Sequence, residues 1–243
     1  MTPGEIDALE RIADRAWLAA ERATHGPWLL NAADGWSGRL NACWPLGTPE
    51  GGLEAAVEAV EAWYRDRSLK PQFKPAGETE ALEALLTRRG YRLHTPTQMM
   101  IAEIGAAGSP TRVRVAEEAD AAFETVFLGA EENAADAAER IAAFRRTPRP
   151  RVFATIALNG APVAIGGCAV EGDWAGIFGM RTLAGHRRQG LARDIVAALL
   201  AGAKAAGASR AYLQVESPNA PAIALYEGFG FRLAYPYRYW TLD

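Results

Sequence analysis

The chain has 243 residues, of which 49% are hydrophobic and 23% charged, and its formal net charge is −3 at pH 7. This length allows one large domain or two small ones. The near-neutral charge without a long basic run argues against nucleic acid as a partner, and no apolar stretch approaches the roughly 18 residues that would suggest a membrane span. The N-terminus lacks the features of a signal peptide, so we expect a cytoplasmic protein with its two cysteines reduced.

The first half alternates helical and extended segments. Apolar residues at three-to-four-residue spacing predict a helix over 5–24, ended by His25-Gly26-Pro27. In chain order there follow strands at 28–32 and 39–44, a helix at 51–66, an extended piece at 72–74, a helix at 79–89 and a strand at 97–104. The flexible segment from Gly105 to Pro110 then indicates a boundary between a first domain, 1–106, and a second, 111–243.

The second half begins again with a strand. Asn159-Gly160, between two apolar segments, is a strong signal for a two-residue hairpin turn. The predicted elements are a strand at 111–115, one or two helices within 118–146, strands at 151–158, 161–170 and 174–182, a helix at 190–206, a strand at 211–215, a helix at 220–228 and two short closing strands.

An internal repeat links the two halves. Gly90-Tyr-Arg-Leu-His-Thr-Pro96 aligns with Gly230-Phe-Arg-Leu-Ala-Tyr-Pro236. Each copy follows a predicted helix and precedes a short apolar strand. The matching order of elements around the copies favours duplication of one fold.

The loop before the helix at 190–206 has the features of an anion site. A helix N-terminus presents N–H groups without partners and the positive end of the helix dipole. Gly190 lets a phosphate approach the main chain, Ala192 keeps the first turn thin, and Arg187 and Arg188 add positive charge. The loop alone leaves open an ordinary connection with a solvated basic cluster.

With its surroundings, this loop resembles the GNAT superfamily of acyl-CoA-dependent acyltransferases. The pyrophosphate motif Arg/Gln-x-x-Gly-x-Gly/Ala of that family is matched at 187–192. A strand at 211–215, Asn219, Tyr226 and Gly228-Phe-Gly-Phe231 follow in the family's order, so the resemblance covers about residues 111–243. It implies an α+β fold with a mixed sheet, built from two GNAT-like domains in tandem.

The resemblance also implies a role for each matching residue. The residues that it places at acetyl-CoA are Met180, Arg181, Thr182, Arg187, Arg188, Gln189, Gly190, Leu191, Ala192, Asn219 and Tyr226. Tyr226 corresponds to the family's usual general acid. From the residues alone, Asn219 also fits a plain helix N-cap and Tyr226 a core aromatic.

The general base is less marked in the sequence. Glu216 at the end of a strand is favoured as the base, or as the group that orients the substrate ammonium. Glu171 and Asp173 are alternatives, for which we expect a solvated turn.

The first half lacks these functional residues. Its Gly-rich segment 47–52 has no arginine, and Glu50 would repel an anion. Arg39, Asn41 and Trp44 lie in a segment that resembles two-domain GNAT proteins labelled N-acetylglutamate synthase-like. These three residues are candidates for substrate binding, with Arg39 on a carboxylate. The alternative is that they pack the two halves together.

The resulting hypothesis is an N-acetyltransferase that moves the acetyl group of acetyl-CoA to a primary amine of a small molecule by direct attack in a ternary complex. A protein lysine or N-terminal acetyltransferase and a non-catalytic acyl-CoA sensor are the alternatives. The three histidines are isolated, so no metal site is expected. We expect a monomer or a homodimer, without nucleic acid or membrane partners.

Overall fold

The computed structural model describes residues 1–105, 108 and 110–242. Residues 106, 107 and 109 of the predicted boundary segment lie outside the described residues, so the bounds 1–106 and 111–243 stay a prediction. The described helices are at most 15 residues long, too short to cross a bilayer.

The described part of the chain contains seven α-helices and eleven strands. Those of the first half are α1 (Pro3–Ala16), β1 (Glu21–His25), β2 (Trp28–Ala32), β3 (Cys43–Trp44), α2 (Leu53–Arg65), β4 (Gln72–Phe73), α3 (Glu80–Arg88) and β5 (Arg92–Glu103). Those of the second half are β6 (Arg114–Ala116), α4 (Ala121–Ala130), α5 (Ala134–Arg146), β7 (Arg151–Leu158), β8 (Ala161–Glu171), β9 (Trp174–Thr182), α6 (Leu191–Ala205), β10 (Arg210–Glu216), α7 (Ala220–Glu227) and β11 (Arg232–Thr241).

All of these strands form one mixed sheet in the order β1-β2-β3-β4-β11-β5-β10-β9-β8-β7-β6. The two halves exchange their last strands at its centre. β5 pairs with β10 of the second half, β11 pairs with β4 of the first half, and β5 and β11 pair with each other, all antiparallel. Neither half therefore completes its part of the sheet alone.

Helices cover both faces of the sheet. On one face, α1, α4 and α5 enclose a core to which both halves contribute, with Trp17 and Trp44 from the first half and Phe144 and Tyr212 from the second. On the other face, α6 and α7 pack on the alternate residues of β7 to β10. A third core lies beneath α2 and α3 and contains first-half residues together with Trp240 of β11.

Three predicted elements differ from the structure. The helix predicted over 5–24 ends at Ala16, because the residues Glu21–His25 instead pair with Trp28–Ala32. Cross-strand pairing thus overrides the helical propensity of the alanine-rich segment. The strand predicted at 39–44 is a 3₁₀ turn followed by the two residues of β3, and the two closing strands are one long strand, β11.

The predicted hairpin turn is confirmed. Asn159 and Gly160 both have positive φ, +51° and +81°, and Leu158 pairs with Ala161 across them. Both positions in a type I′ turn require such φ values, which asparagine and glycine adopt most readily.

A buried ion pair joins α1 to the end of β4. Lys74 and Glu10 are both fully buried, and the Lys74 ammonium contacts the Glu10 carboxylate. The Tyr235 hydroxyl of β11 donates to the other Glu10 oxygen at 2.8 Å. The Lys74 ammonium also lies 3.9 Å from the centre of the Trp44 ring and 4.0 Å from that of Tyr237. Burial lowers the pKa of Lys74 to about 8, while Glu10 opposes that shift.

We predict that Lys74→Met destabilises the protein by about 3–5 kcal/mol, because Glu10 would keep a buried charge without its partner. The free energy of unfolding in urea measures this cost. Lys70→Met is the control, since Lys70 is exposed and its loss is expected within about 0.5 kcal/mol. Equal effects of the two substitutions would contradict the assigned role of the pair.

Candidate active site

A β-bulge interrupts β9 near the centre of the second half. Ile165 of β8 pairs with Arg181 and Gly167 with Phe178, so the single residue Gly166 faces two residues of β9. Gly179 in the bulge has φ +63°. A Cβ at Gly166 would collide with Met180 and with Ile195 of α6, so close packing requires glycine there. The bulge turns the end of β9 away from its former direction.

The strands β9 and β10 separate at this bulge. Their parallel pairing ends with Leu213 opposite Ile177. Beyond that point β9 continues along β8 to Thr182, and β10 continues along β5 to Glu216. The edge of β9 that faces the gap has no strand partner among the described residues. The two strands therefore form a V-shaped cleft with free main-chain groups on one wall.

The predicted anion loop lies between the end of β9 and α6. Gly190 occupies the N-cap of α6 with φ +74°, and no side chain caps the first turn of that helix. Arg188 also has positive φ, +61°. Arg187, Arg188 and Gln189 are exposed, while Leu191 is buried in the core beneath α6. The loop thus presents uncapped N–H groups with arginines beside them.

A further residue at this loop, Arg112, could not be predicted from the sequence around 187–192. Arg112, far away in the chain, contacts the Asp194 carboxylate in the first turn of α6. Its guanidinium lies 3.7 Å from the position that a Cβ at Gly190 would occupy. It adds a third arginine to the mouth of the loop, and only the fold brings it there.

The end of β9 carries three of the residues predicted to contact acetyl-CoA. Met180, Arg181 and Thr182 are all half-buried. The Arg181 side chain donates from Nε to Glu131 at 2.5 Å and lies over the Phe127 ring. Because that side chain is engaged, Arg181 offers the cleft its main chain.

The two predicted residues of α7 are close to the other wall of the cleft. Asn219 is the N-cap, and its side chain accepts from the Ala222 N–H at 3.2 Å, the capping role anticipated from the sequence. Tyr226 is 7% exposed and packs edge-on against Phe231. Burial raises the pKa of Tyr226 to about 12, with the Arg181 charge acting in the opposite direction.

The three candidate bases differ in their partners. Glu216 is exposed at the end of β10 and makes no ion pair among the described residues. Glu171 accepts from Arg15 at 2.9 Å, and Asp173 accepts from Arg210 at 2.9 Å. Two of the candidates are thus already paired with arginines at the surface, and Glu216 is the one of the three without an ion pair among the described residues.

The three candidate substrate residues of the first half have different surroundings. Asn41 uses its side chain within the protein, accepting from Ala33 N–H at 2.7 Å and donating to Glu139 of α5 at 2.7 Å. Trp44 is fully buried beneath Lys74. These contacts favour the alternative that both residues pack the halves together. Arg39 differs, because among the described residues its guanidinium makes a single hydrogen bond, to the Ala13 carbonyl at 3.0 Å.

An aromatic stack connects the first half to the start of the cleft. Trp17, which follows α1, stacks on Phe178 of β9 with ring centres 6.3 Å apart, and on Phe144 of α5 at 5.5 Å. The Arg39 guanidinium lies 5.2 Å from the centre of the Trp17 ring. The face of the sheet opposite α6 is therefore covered by the first half at the point where β9 and β10 separate.

The known proteins to which this chain is similar are described as acetyltransferases. A family model described as "Probable histone acetyltransferase Rv0428c C-terminal" matches residues 3–240. The "Uncharacterized N-acetyltransferase YobR" of Bacillus subtilis is 25% identical over 236 residues, which cover 93% of this chain and 94% of YobR.

Two solved structures share the fold. A GCN5-related N-acetyltransferase from Kribbella flavida has a TM-score of 0.70 and 18% identity, covering 100% of this chain and 96% of that one. A tandem GNAT protein from the clavulanic acid biosynthesis pathway has a TM-score of 0.63 and 13% identity, covering 96% of this chain and 86% of that one. The mixed α+β fold with GNAT-like halves in tandem, expected from the sequence, is thereby confirmed.

We predict that Gly190→Ala weakens binding of a pyrophosphate-bearing ligand and destabilises the fold by about 1–2 kcal/mol. A Cβ disfavours the left-handed backbone at this position and lies where the anion would approach. Calorimetric titration with coenzyme A and thermal unfolding measure the two effects. Gly185→Ala in the same loop is the control, because Gly185 lacks positive φ and a Cβ there meets nothing within 4 Å. A Gly190→Ala protein that binds like the control would exclude this loop as the anion site.

Proposed function

The chain belongs to the Rv0428c C-terminal acetyltransferase family and is an acetyltransferase of the GNAT type, and we propose that it transfers the acetyl group of acetyl-CoA to a primary amine of a small molecule. The observation that carries the proposal is the cleft between β9 and β10, with the uncapped N-terminus of α6 near its mouth. The first half also has an uncapped helix N-terminus, at Gly52 before α2, but its loop 47–52 carries no arginine, so one active site per chain is expected.

The residues of the cleft fit coenzyme A. The uncapped turn at Gly190, together with Arg187, Arg188 and Arg112, would hold the pyrophosphate. The free edge of β9 would bind the amide groups of the pantetheine arm by main-chain hydrogen bonds. When bound, acetyl-CoA supplies an activated acetyl thioester. The protein supplies the position of that thioester and a route for the amine.

Tyr226 is suited to the role of general acid. Since burial raises the pKa of this phenol to about 12, the hydroxyl stays protonated at neutral pH. Its hydroxyl has no hydrogen-bond partner among the described residues and is thus free to donate to a leaving thiolate. Glu216, the candidate carboxylate without an ion pair among the described residues, is the proposed base or the group that orients the ammonium.

Direct attack by the amine is favoured over an acyl-enzyme. The thiol nearest the cleft in the sheet is Cys168, which is fully buried, and burial raises its pKa to about 12. Burial also raises the pKa of Cys43 well above its ordinary value. Because the thiolate is the reactive form, neither cysteine is a competent nucleophile at neutral pH.

We place the acceptor on the face of the sheet opposite α6, and the first half that covers this face supports a small acceptor. The first half contacts the second through Trp17 and through Glu139, which accepts from three main-chain N–H groups of residues 34–37. A folded protein substrate would need this cover to open. A protein acetyltransferase remains the second candidate, because the family's own description names a histone acetyltransferase.

A thiol-release assay with acetyl-CoA tests the proposal and separates the two candidates. The acceptors are amino acids, polyamines, aminoglycosides and lysine-containing peptides. We expect turnover with a small amine and initial-rate patterns of a ternary complex, that is, lines that intersect. Turnover confined to peptides would favour the second candidate. Acetyl-CoA binding without turnover on any acceptor would indicate a sensor and contradict the proposal.

We predict that Tyr226→Phe lowers kcat by about 10²- to 10⁴-fold while the Kd for acetyl-CoA changes little, because only the donated proton is lost. Tyr64→Phe is the matched control. The Tyr64 hydroxyl donates to the Asn31 carbonyl at 2.8 Å within the first half, so its loss should cost stability and leave kcat unchanged. An unchanged kcat in Tyr226→Phe would exclude Tyr226 as the acid.

A further inference from the structure

Three polar side chains beside the cleft have buried donor atoms without partners, as do the indole N–H groups of Trp17 and Trp44 in the same core. The Tyr212 hydroxyl, the Gln214 side-chain N–H₂ and the Arg39 Nε are all buried, and none has a hydrogen-bond partner among the described residues. Tyr212 is only 1% exposed as a whole residue. Buried donors are normally paired, so a cluster of unpaired ones calls for an explanation. We refer to Arg39, Tyr212 and Gln214 as the donor cluster.

The donor cluster lies on the face of the sheet that is opposite α6. Tyr212 and Gln214 are two residues apart on β10 and therefore point to the same face, the one that packs against α1 and α5. Leu213 between them is the last β10 residue paired with β9. A Cβ at Gly176 of β9 would collide with the Tyr212 hydroxyl, which places that hydroxyl directly against β9. The cluster thus borders the point where the strands separate.

The orientation of Gln214 is fixed by its neighbour. The Tyr237 hydroxyl of β11 donates to Gln214 Oε1 at 2.8 Å. Because the acceptor atom of the amide is engaged, its N–H₂ group is held as a donor with no protein partner. Gln214 therefore holds a donor of fixed orientation that no described residue satisfies.

Arg39 adds a charge without a counter-ion. No carboxylate pairs with it in the described part of the chain, and its NH2 donates only to the Ala13 carbonyl. Burial raises the pKa of Tyr212 and Tyr239, and in both cases the Arg39 charge opposes the rise. The Arg39 guanidinium therefore interacts electrostatically with both phenols. Lys74 is paired with Glu10, whereas Arg39 makes no ion pair among the described residues.

We propose that the donor cluster binds a carboxylate of the acceptor, so that the acceptor is an amino acid or another small amine with a carboxylate. A carboxylate has only acceptor atoms and one negative charge, which matches two neutral donors and an unpaired guanidinium. This inference rests on the proposed acetyl transfer at the cleft. A cationic lysine-rich peptide would meet the Arg39 charge unfavourably, and the buried cluster suits a compact ligand.

The test compares acceptors that differ only in the carboxylate. Glycine, β-alanine and longer amino acids are assayed for thiol release beside their carboxamides, with acetyl-CoA and the intact chain. We expect at least one carboxylate acceptor to exceed its carboxamide tenfold or more in kcat/KM. In Arg39→Met that preference should vanish while KM for acetyl-CoA stays the same. Arg11→Met is the matched control, because Arg11 also donates to a first-half carbonyl, that of Pro27, at 3.0 Å.

Tyr212→Phe separates binding from folding. Its hydroxyl has no partner, so removing it should leave the melting temperature unchanged or slightly higher. KM for the carboxylate acceptor should nevertheless rise several-fold. A variant with unchanged KM would indicate that the hydroxyl faces only ordered water and would overturn the role given to Tyr212.

The outcomes distinguish this inference from the proposed function. Turnover of carboxamides at rates equal to those of the carboxylates, or a preference that survives Arg39→Met, overturns the inference and leaves the acetyl transfer intact. Failure to bind acetyl-CoA overturns the proposed function itself. N-acetylated amino acids, as product mimics, are also tested for thermal stabilisation in the presence of coenzyme A. If none of the carboxylates reacts or stabilises the protein, the inference is wrong.

Discussion

The exchange of last strands between the two halves is the constraint on which the rest of the structure depends. Because β5 lies between β11 and β10, and β11 between β4 and β5, each half completes the sheet of the other. The first half therefore stays essential to the fold even though it has no anion loop of its own. The exchange also fixes α1 over the face of β9 and β10, where Glu10 and Lys74 pair beneath it. The half that holds the proposed active site is thus covered on this face by the other half.

The cleft itself results from a local defect in the same sheet. Parallel pairing of β9 with β10 stops at Ile177, and the bulge at Gly179 directs the remainder of β9 along β8. The main chain that is left unpaired faces the loop at Gly190, so the hydrogen-bonding groups that the sheet does not use become available to a ligand. Tyr226 lies on one side of the sheet and Tyr212 on the other. In the proposed reaction, the acid and the groups that bind the acceptor therefore approach the thioester from opposite faces.

Elements whose signal lies in neighbouring residues could be predicted from the sequence. The turn at Asn159 and the helix after Gly190 follow from residues that are adjacent in the chain, and the family resemblance rests on such short segments. Features that depend on pairing between distant residues could not be predicted. The alanine-rich segment after Ala16 has helical propensity, yet it pairs as a strand. Arg112 reaches the anion loop only through the fold, and the strand exchange depends on contacts between residues over 100 positions apart, which no local pattern encodes.

The central claim is that one coenzyme A site exists per chain and that it lies in the second half. Calorimetric titration of the intact chain with coenzyme A tests it most directly, because stoichiometry does not depend on knowing the acceptor. We expect a single class of sites with one molecule of coenzyme A bound per chain. Two molecules per chain would show that the first half also binds coenzyme A. The absence of binding at millimolar concentration would contradict the assignment of a coenzyme A site to this chain.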